Sequence, residues 1–367
     1  MPRIAVDAMG ADGAPRVEVE GVVSAVRAQD LTRDLKDALT VILVGDEARL
    51  RRELEACGGA AEARIEVRHA PDVITMDDAP SMAVRGKKQS SMRVCFDLVK
   101  AKEADALISA GNSGAMMACG LFVLGRLAGV ERPAIVTSLP TKTGECALLD
   151  MGANVDPKPS TMAQWAVLGA VYARLLHKKA RPRVGVLSNG SEEHKGTPLT
   201  RETHQLLLRA RGKDAGEPVA DFQYLGYVEG RDVFRGDVDV VVTDGFTGNV
   251  VLKSVEGAAE VIMSMAKEEI ERAGLLARLG AALMIKPLRR LKHKTDYAEY
   301  GGAPLLGIDG VALVCHGGSN ARAIASAVRV AAQFAQTGLE GESVGALARH
   351  AFLWAPPPSV SAVERVS

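Results

Sequence analysis

The stretch Val238-Asp239-Val240-Val241-Val242-Thr243-Asp244-Gly245-Phe246-Thr247-Gly248-Asn249 passes from a β-branched run, through a glycine-bearing turn, into a helix-compatible segment over 249–273. A short apolar run bounded by turn residues predicts a strand buried on both faces. The pattern recurs. Apolar runs at 4–6, 41–44, 106–108, 134–136, 147–149, 184–187 and 311–315 read as further strands, and stretches such as 17–27, 92–102, 162–177 and 198–210 read as helices between them. Strand alternating with helix predicts an α/β fold with a mainly parallel sheet covered on both faces.

Nearly every strand opens directly into a polar or glycine-bearing turn, at 7–10, 109–114, 150–154, 188–190, 243–248 and 316–320. In open α/β sheets the turns at the carboxyl ends line the ligand crevice, so six of them predict one common site. Taken singly, each is also what a tight strand-to-helix connection requires.

Composition narrows the class. The 367 residues are 47% hydrophobic, enough for one large α/β domain or two smaller ones, and Lys plus Arg equal Asp plus Glu at 45 each. Balanced charge supplies no global field for nucleic acid. The five cysteines, Cys57, Cys95, Cys119, Cys146 and Cys315, are scattered and unpaired in spacing, which argues against a disulfide framework or a zinc site. No apolar stretch approaches the ~20 residues that span a bilayer, so the chain is expected to be cytoplasmic.

The densest cationic and hydroxyl cluster is Arg85-Gly86-Lys87-Lys88-Gln89-Ser90-Ser91-Met92, just before a helical pattern. Ser90 or Ser91 capping that helix would leave backbone amides beside Lys87 and Lys88, a combination suited to phosphate, although it also reads as a solvated basic turn. Asn112, Ser113 and Gly114 lie in a turn of small residues whose backbone can approach an anion closely. Asp244, Gly245 and Asn249 repeat the idea, with helix capping as the structural reading of Asp244. Asp7, Gly10 and Asn154 stand at other strand ends, Lys195 and Arg231 in charged glycine loops, and His316 after the last strand. Between 267 and 294, Leu275, Leu279 and Leu283 recur every four residues among cations that include Arg289 and Arg290. Such a basic amphipathic segment suits an anionic membrane surface, and equally a packed helical hairpin at a subunit contact.

Taken in order, Asp7-Ala8-Met9-Gly10, Met76-Asp77-Asp78, the 85–92 and 109–115 stretches, Leu149-Asp150-Met151-Gly152-Ala153-Asn154-Val155-Asp156, Glu229-Gly230-Arg231-Asp232, Asp244-Gly245-Phe246 and Tyr300-Gly301-Gly302-Ala303 resemble the bacterial phosphate acyltransferases of phospholipid synthesis. The resemblance covers about 3–337. It implies a three-layer α/β fold of the phosphotransacetylase and isopropylmalate-dehydrogenase type, with a helical hairpin extension, in a homodimer. It implies acyl transfer from acyl carrier protein to orthophosphate, without cofactor or metal, giving an acyl phosphate that a membrane-bound glycerol-3-phosphate acyltransferase consumes. On this reading Lys87, Lys88, Asn112, Lys195 and Asp244 are the catalytic candidates. Asp7, Gly10, Ser90, Ser91, Ser113, Gly114, Asn154, Arg231, Gly245, Asn249 and His316 are the substrate-binding candidates. Leu275, Leu279, Leu283, Arg289 and Arg290 would meet the membrane. Residues 1–340 are expected to form one two-lobed catalytic domain carrying an amphipathic helical hairpin at 255–300, and 341–367 a peripheral or disordered tail. A nicotinamide- and metal-dependent decarboxylating dehydrogenase would need clustered acidic ligands, and a non-catalytic scaffold would not need so many polar strand-end turns.

Overall fold

The computed structural model describes residues 2–28, 39–212, 220–274 and 301–355, with positions 280, 284 and 286. Among these, eleven strands form one sheet: β1 (Arg3–Asp7), β2 (Thr40–Gly45), β3 (Ile65–His69), β4 (Ala106–Ser109), β5 (Ala134–Thr141), β6 (Gly144–Leu149), β7 (Arg183–Leu187), β8 (Gln223–Val228), β9 (Val240–Val242), β10 (Ala303–Leu306) and β11 (Val311–Val314). Their order is β3-β2-β1-β4-β11-β10-β5-β6-β9-β7-β8. β3, β8 and β10 escape a search for apolar runs. β3 alternates polar residues along an edge, β8 is the opposite edge, and β10 is four residues containing Pro304.

Helices cover both faces: α1 (Arg16–Arg27), α2 (Glu47–Ala56), α3 (Pro80–Gly86), α4 (Ser91–Lys100), α5 (Ser113–Cys119), α6 (Pro159–Leu175), α7 (Pro198–Leu208), α8 (Gly245–Arg272), α9 (Ala321–Phe334) and α10 (Leu339–Arg349). Two apolar cores result, and the strands feed them alternately. Ile4 and Val6 join one core and Ala5 the other; Val240 and Val242 join the first and Val241 the second. This is the three-layer α/β architecture expected.

The sheet is parallel within each half, but its halves run in opposite directions. β10 is antiparallel to both β11 and β5, and β5 is antiparallel to β6. β6, β9, β7 and β8 therefore point against β1, β2, β3, β4 and β11. Strand direction thus divides the six turns into two sets. The turns after β1, β4 and β11 share one end of the sheet, and those after β6, β9 and β7 share the other. β4 and β6 also lie four strand spacings apart, roughly 19 Å.

α8 is 28 residues long, about 40 Å, and only Gly245 and Gly248 of it are buried. Val250, Val261, Ile262 and Met265 stand exposed along it. The boundary expected at 341 also moves. α10 buries Ser343, Ala346 and Leu347, Leu353 is buried beyond it, and Arg209 donates to the carbonyls of Phe352, Leu353 and Ala355. Apolar residues at helical spacing give this segment a face to bury, so it packs up to residue 355.

Just past α6, His177 has a side chain only 4% exposed. Its Nε2 lies 2.8 Å from Ser138 Oγ and 3.2 Å from Glu145 Oε2, while Nδ1 is buried without a partner. Burial pushes its pKa down to about 4. The neutral ring is thus favoured by folding, and the stability it contributes is present above about 6.5 and lost as pH falls toward 4, up to about 3 kcal/mol. Thermal unfolding between these limits should show the wild type losing stability faster than His177→Gln; parallel curves would refute the assignment.

Candidate functional site

At the first sheet end, Asp7 closes β1 with 2% exposure. Its Oδ2 accepts from Ser109 Oγ at 2.6 Å, Oδ1 accepts from Met9 N–H at 3.3 Å, and the Ser91 hydroxyl also donates to it. One carboxyl so ties β1, β4 and α4 together. Burial raises its pKa and the hydroxyls oppose the shift. The 8–14 loop then rests on the 110–114 turn. A Cβ on Gly10 would lie 2.7 Å from Gly111 N, so only glycine permits the approach. Asp12 N–H donates to Gly317 O at 2.9 Å, bringing in the turn after β11.

The Asn112 side chain caps α5, accepting Ala115 N–H at 3.0 Å, and its Nδ2 faces the carbonyls of Thr75, Met76 and Asp78 at 3.2–3.3 Å. Lys87 Nζ donates to Asp78 Oδ2 at 2.5 Å and to Val73 O at 2.9 Å, and this contact lowers the Asp78 pKa. Asn112 and Lys87 therefore hold the 73–78 loop over the turn, and the Lys87 charge is already matched. Sequence reading left Ser109, Gly111 and Asp78 out of the site; a buried strand-end carboxyl with no nearby cation is the signal that calls for such hydroxyl partners.

Ser90 and Ser91 are both buried. Ser90 caps α4, and Ser91 serves Asp7. Neither faces solvent-borne phosphate in this structure. Lys88, Ser113, Gly114 and His316 are exposed, and Lys88 makes no ion pair among the described residues. His316 Nδ1 accepts Gly318 N–H at 3.0 Å, which orients the ring at the mouth of the converging turns.

At the opposite sheet end, Asp150 is fully buried and accepts from the backbone of Ile135 at 2.9 Å and Asn154 at 2.6 Å. Asn154 Nδ2 bonds the same carboxyl at 3.0 Å and Pro133 O at 2.8 Å. Asp244 is the N-cap of α8, taking Thr247 N–H at 2.8 Å and the Thr247 hydroxyl at 2.7 Å. Gly245 N–H donates to Asn154 O at 2.8 Å, and a Cβ on Gly248 would collide with Asp150 O. Asn249 is exposed beside Gly152. Lys195 is half-buried in the loop after β7 with no ion pair among the described residues, and Arg231, after β8, pairs with Glu229 at 3.0 Å.

The fold thus gathers Asp7, Gly10, Asn112, Ser113, Gly114 and His316, with Lys87, Lys88, Ser90 and Ser91 beside them. It places Asn154, Asp244, Gly245 and Asn249 in a second group at the strand ends of the other half-sheet, with Lys195 and Arg231 in the loops after β7 and β8. Leu275, Leu279, Leu283, Arg289 and Arg290 lie outside the described residues. Among those described, no three His, Cys, Asp or Glu side chains gather as metal ligands. Burial pushes the thiols of Cys119, Cys146 and Cys315 up to about 12, which leaves them poor nucleophiles.

Residues 2–341 match the family described as fatty acid synthesis protein. The chain is 50% identical over 342 residues to a phosphate acyltransferase of Geotalea daltonii, covering 93% of each chain. It is 51% identical over 337 residues to that of Geobacter sulfurreducens, covering 92% of each. A phosphotransacetylase from Streptococcus pyogenes superposes with a TM-score of 0.59 at 18% identity, over 91% of this chain and 94% of the other. A branched-chain phosphotransacylase from Enterococcus faecalis gives 0.54 at 13%, over 92% and 100%. At those identities the two structures speak for the fold. Sequence identity of one half along nearly the whole length speaks for more, and the chain belongs to the fatty acid synthesis protein family, among the bacterial phosphate acyltransferases.

Proposed function

We propose that this enzyme transfers an acyl group from the thioester of acyl carrier protein to orthophosphate, for phosphatidic acid and phospholipid synthesis. Half identity over nine-tenths of the chain to phosphate acyltransferases carries the reading. A phosphate oxygen attacks the thioester carbonyl, the C–S bond breaks, and the carrier leaves as a thiol. Phosphate is already a nucleophilic oxyanion and the thiol is a good leaving group, so the protein's task is positioning and charge stabilisation. The exposed face of Lys88, Ser113, Gly114 and His316 suits that task, on a floor made rigid by Asp7, Asn112 and the Lys87–Asp78 pair. Purified protein should consume acyl-carrier thioester and release acyl phosphate only when orthophosphate is added, with no nicotinamide. Equal thioester loss in phosphate-free buffer would reduce it to a thioesterase and defeat the reading.

Lysine variants locate the seat. Lys88→Ala should lower kcat/KM by roughly tenfold or more, while Lys195→Ala should change it by less than about twofold. Lys87→Ala should cost stability as well as activity, because it removes the cation that ties Asp78 to the Val73 carbonyl and leaves Asp78 with Thr75 alone. Loss in Lys195→Ala with a normal Lys88→Ala would move the phosphate seat to the other sheet end.

No described helix is long and apolar enough to cross a membrane. We propose instead a cytoplasmic homodimer that touches the anionic membrane surface through the stripe of Leu275, Leu279 and Leu283 with Arg289 and Arg290. It would thereby hand its labile, apolar product to the membrane-bound glycerol-3-phosphate acyltransferase. The exposed Val250, Val261, Ile262 and Met265 of α8, which leads toward that segment, support an apolar contact there. Each near-surface cation would contribute roughly 1 kcal/mol. Replacing Leu275 and Leu279 by Glu should weaken binding to anionic liposomes and leave turnover largely intact. Normal liposome binding would exclude the stripe as anchor, and dissociation into monomers would assign it to the subunit contact.

A further inference from the structure

Glu18 lies in the first turn of α1 with no exposed surface, and the site as described makes no use of it. Its Oε1 accepts the backbone N–H of Ala11 at 3.0 Å, while Oε2 is buried without a hydrogen-bond partner. Ala11 is in the middle of the 8–14 loop, the hub of the three converging turns, where Gly10 rests on Gly111 and Asp12 bonds Gly317. The carboxyl therefore pins that loop from beneath.

The backbone N–H groups of Ala11 and of Glu18 itself favour the ionised form, but no cation joins them and burial outweighs both. Asp7 on β1 is a second buried acid, and Cys315, just past β11, is a buried neutral thiol. α9 meets α1 so closely that a Cβ on Gly21 would lie 2.6 Å from Ala321 O and from Ile324, and its charged residues Arg322 and Arg329 stand at exposed and half-buried positions. From α2, Arg49 Nη2 donates to Ala14 O at 3.3 Å, and Asp12 on the loop itself is exposed. No cation ranks among the influences on Glu18. An ionised carboxylate here would keep one oxygen without a donor and without water, whereas the protonated group keeps its bond to Ala11 and carries no charge. α1 is clamped on α9, so the loop is the part free to yield.

We infer that Glu18 is a proton-operated positioning residue: protonated, it seats the 8–14 loop against the 110–114 and 316–320 turns, and ionised, it releases that loop to water. Burial pushes the carboxyl up to about 7, with Asp7 acting in the same direction. A hydrated glutamate titrates near 4.3, so the seated form is fully favoured below about 4.3, loses ground as pH rises to about 7, and is level beyond.

Hydrogen exchange of the Ala11 and Asp12 amides in the full chain, corrected for intrinsic rates, tests this. In the wild type the corrected rate should climb by up to about tenfold per pH unit between about 5 and 7 and then level off, and in Glu18→Gln it should stay within about twofold. A wild-type rate without that rise overturns the inference, even if the variant fails to fold, and so does an equal rise in both proteins. The kinetic arm rests on the acyl-transfer reading of this site. The ratio of kcat/KM, Glu18→Gln over wild type, should grow by about threefold or more from pH 5.5 to 8, since the titration of orthophosphate cancels in the ratio. A flat ratio overturns the positioning role. Wild-type protein with no phosphate-dependent turnover would instead count against the acyl-transfer reading and leave the exchange result to decide.

Discussion

The antiparallel ladders through β10, β5 and β6 govern where everything else can be. A strand end carries function only in company, and its company depends on strand direction as much as on strand order. Ala303 opposite Val314, Leu305 opposite Ile135 and Val136 opposite Leu149 are the pairings that reverse the second half of the sheet. With that reversal, β1, β4 and β11 end with Asp7, Ser109 and Val314 on one side, and β6, β9 and β7 end with Leu149, Val242 and Leu187 on the other.

Each end is organised around one buried aspartate. Asp7 is satisfied by Ser109, Ser91 and the Met9 amide, and Asp150 by the amides of Ile135 and Asn154 and the Asn154 side chain. A buried carboxyl is costly unless its oxygens are occupied, so these bonds fix the mutual position of the segments that supply them. Glycines allow the backbones to close around the two acids. Rigidity at both ends is thus a consequence of solvation chemistry.

Several residues that look alike in sequence part company in the fold. Lys87 and Lys88 are adjacent, yet one is matched by Asp78 and the other faces solvent. Ser90 and Ser91 read as anion ligands but are spent on a helix cap and on Asp7. Asp244 and Asn112 are caps, the structural reading that the sequence had kept open for Asp244.

The amino-acid sequence by itself determined the α/β class, most of the strands, the polar turns at their ends and the family, because apolar runs, turn residues and ordered motifs are properties of neighbours along the chain. It also carried the helix caps, which reach only three residues ahead. The direction of the second half-sheet, the separation of the six turns into two groups, the neutralisation of Lys87 and the isolation of Glu18 were decided only by tertiary structure. Each depends on contacts between residues far apart in sequence, such as Ser109 with Asp7 or Leu305 with Ile135, and on the loss of water at those contacts, which no local periodicity encodes.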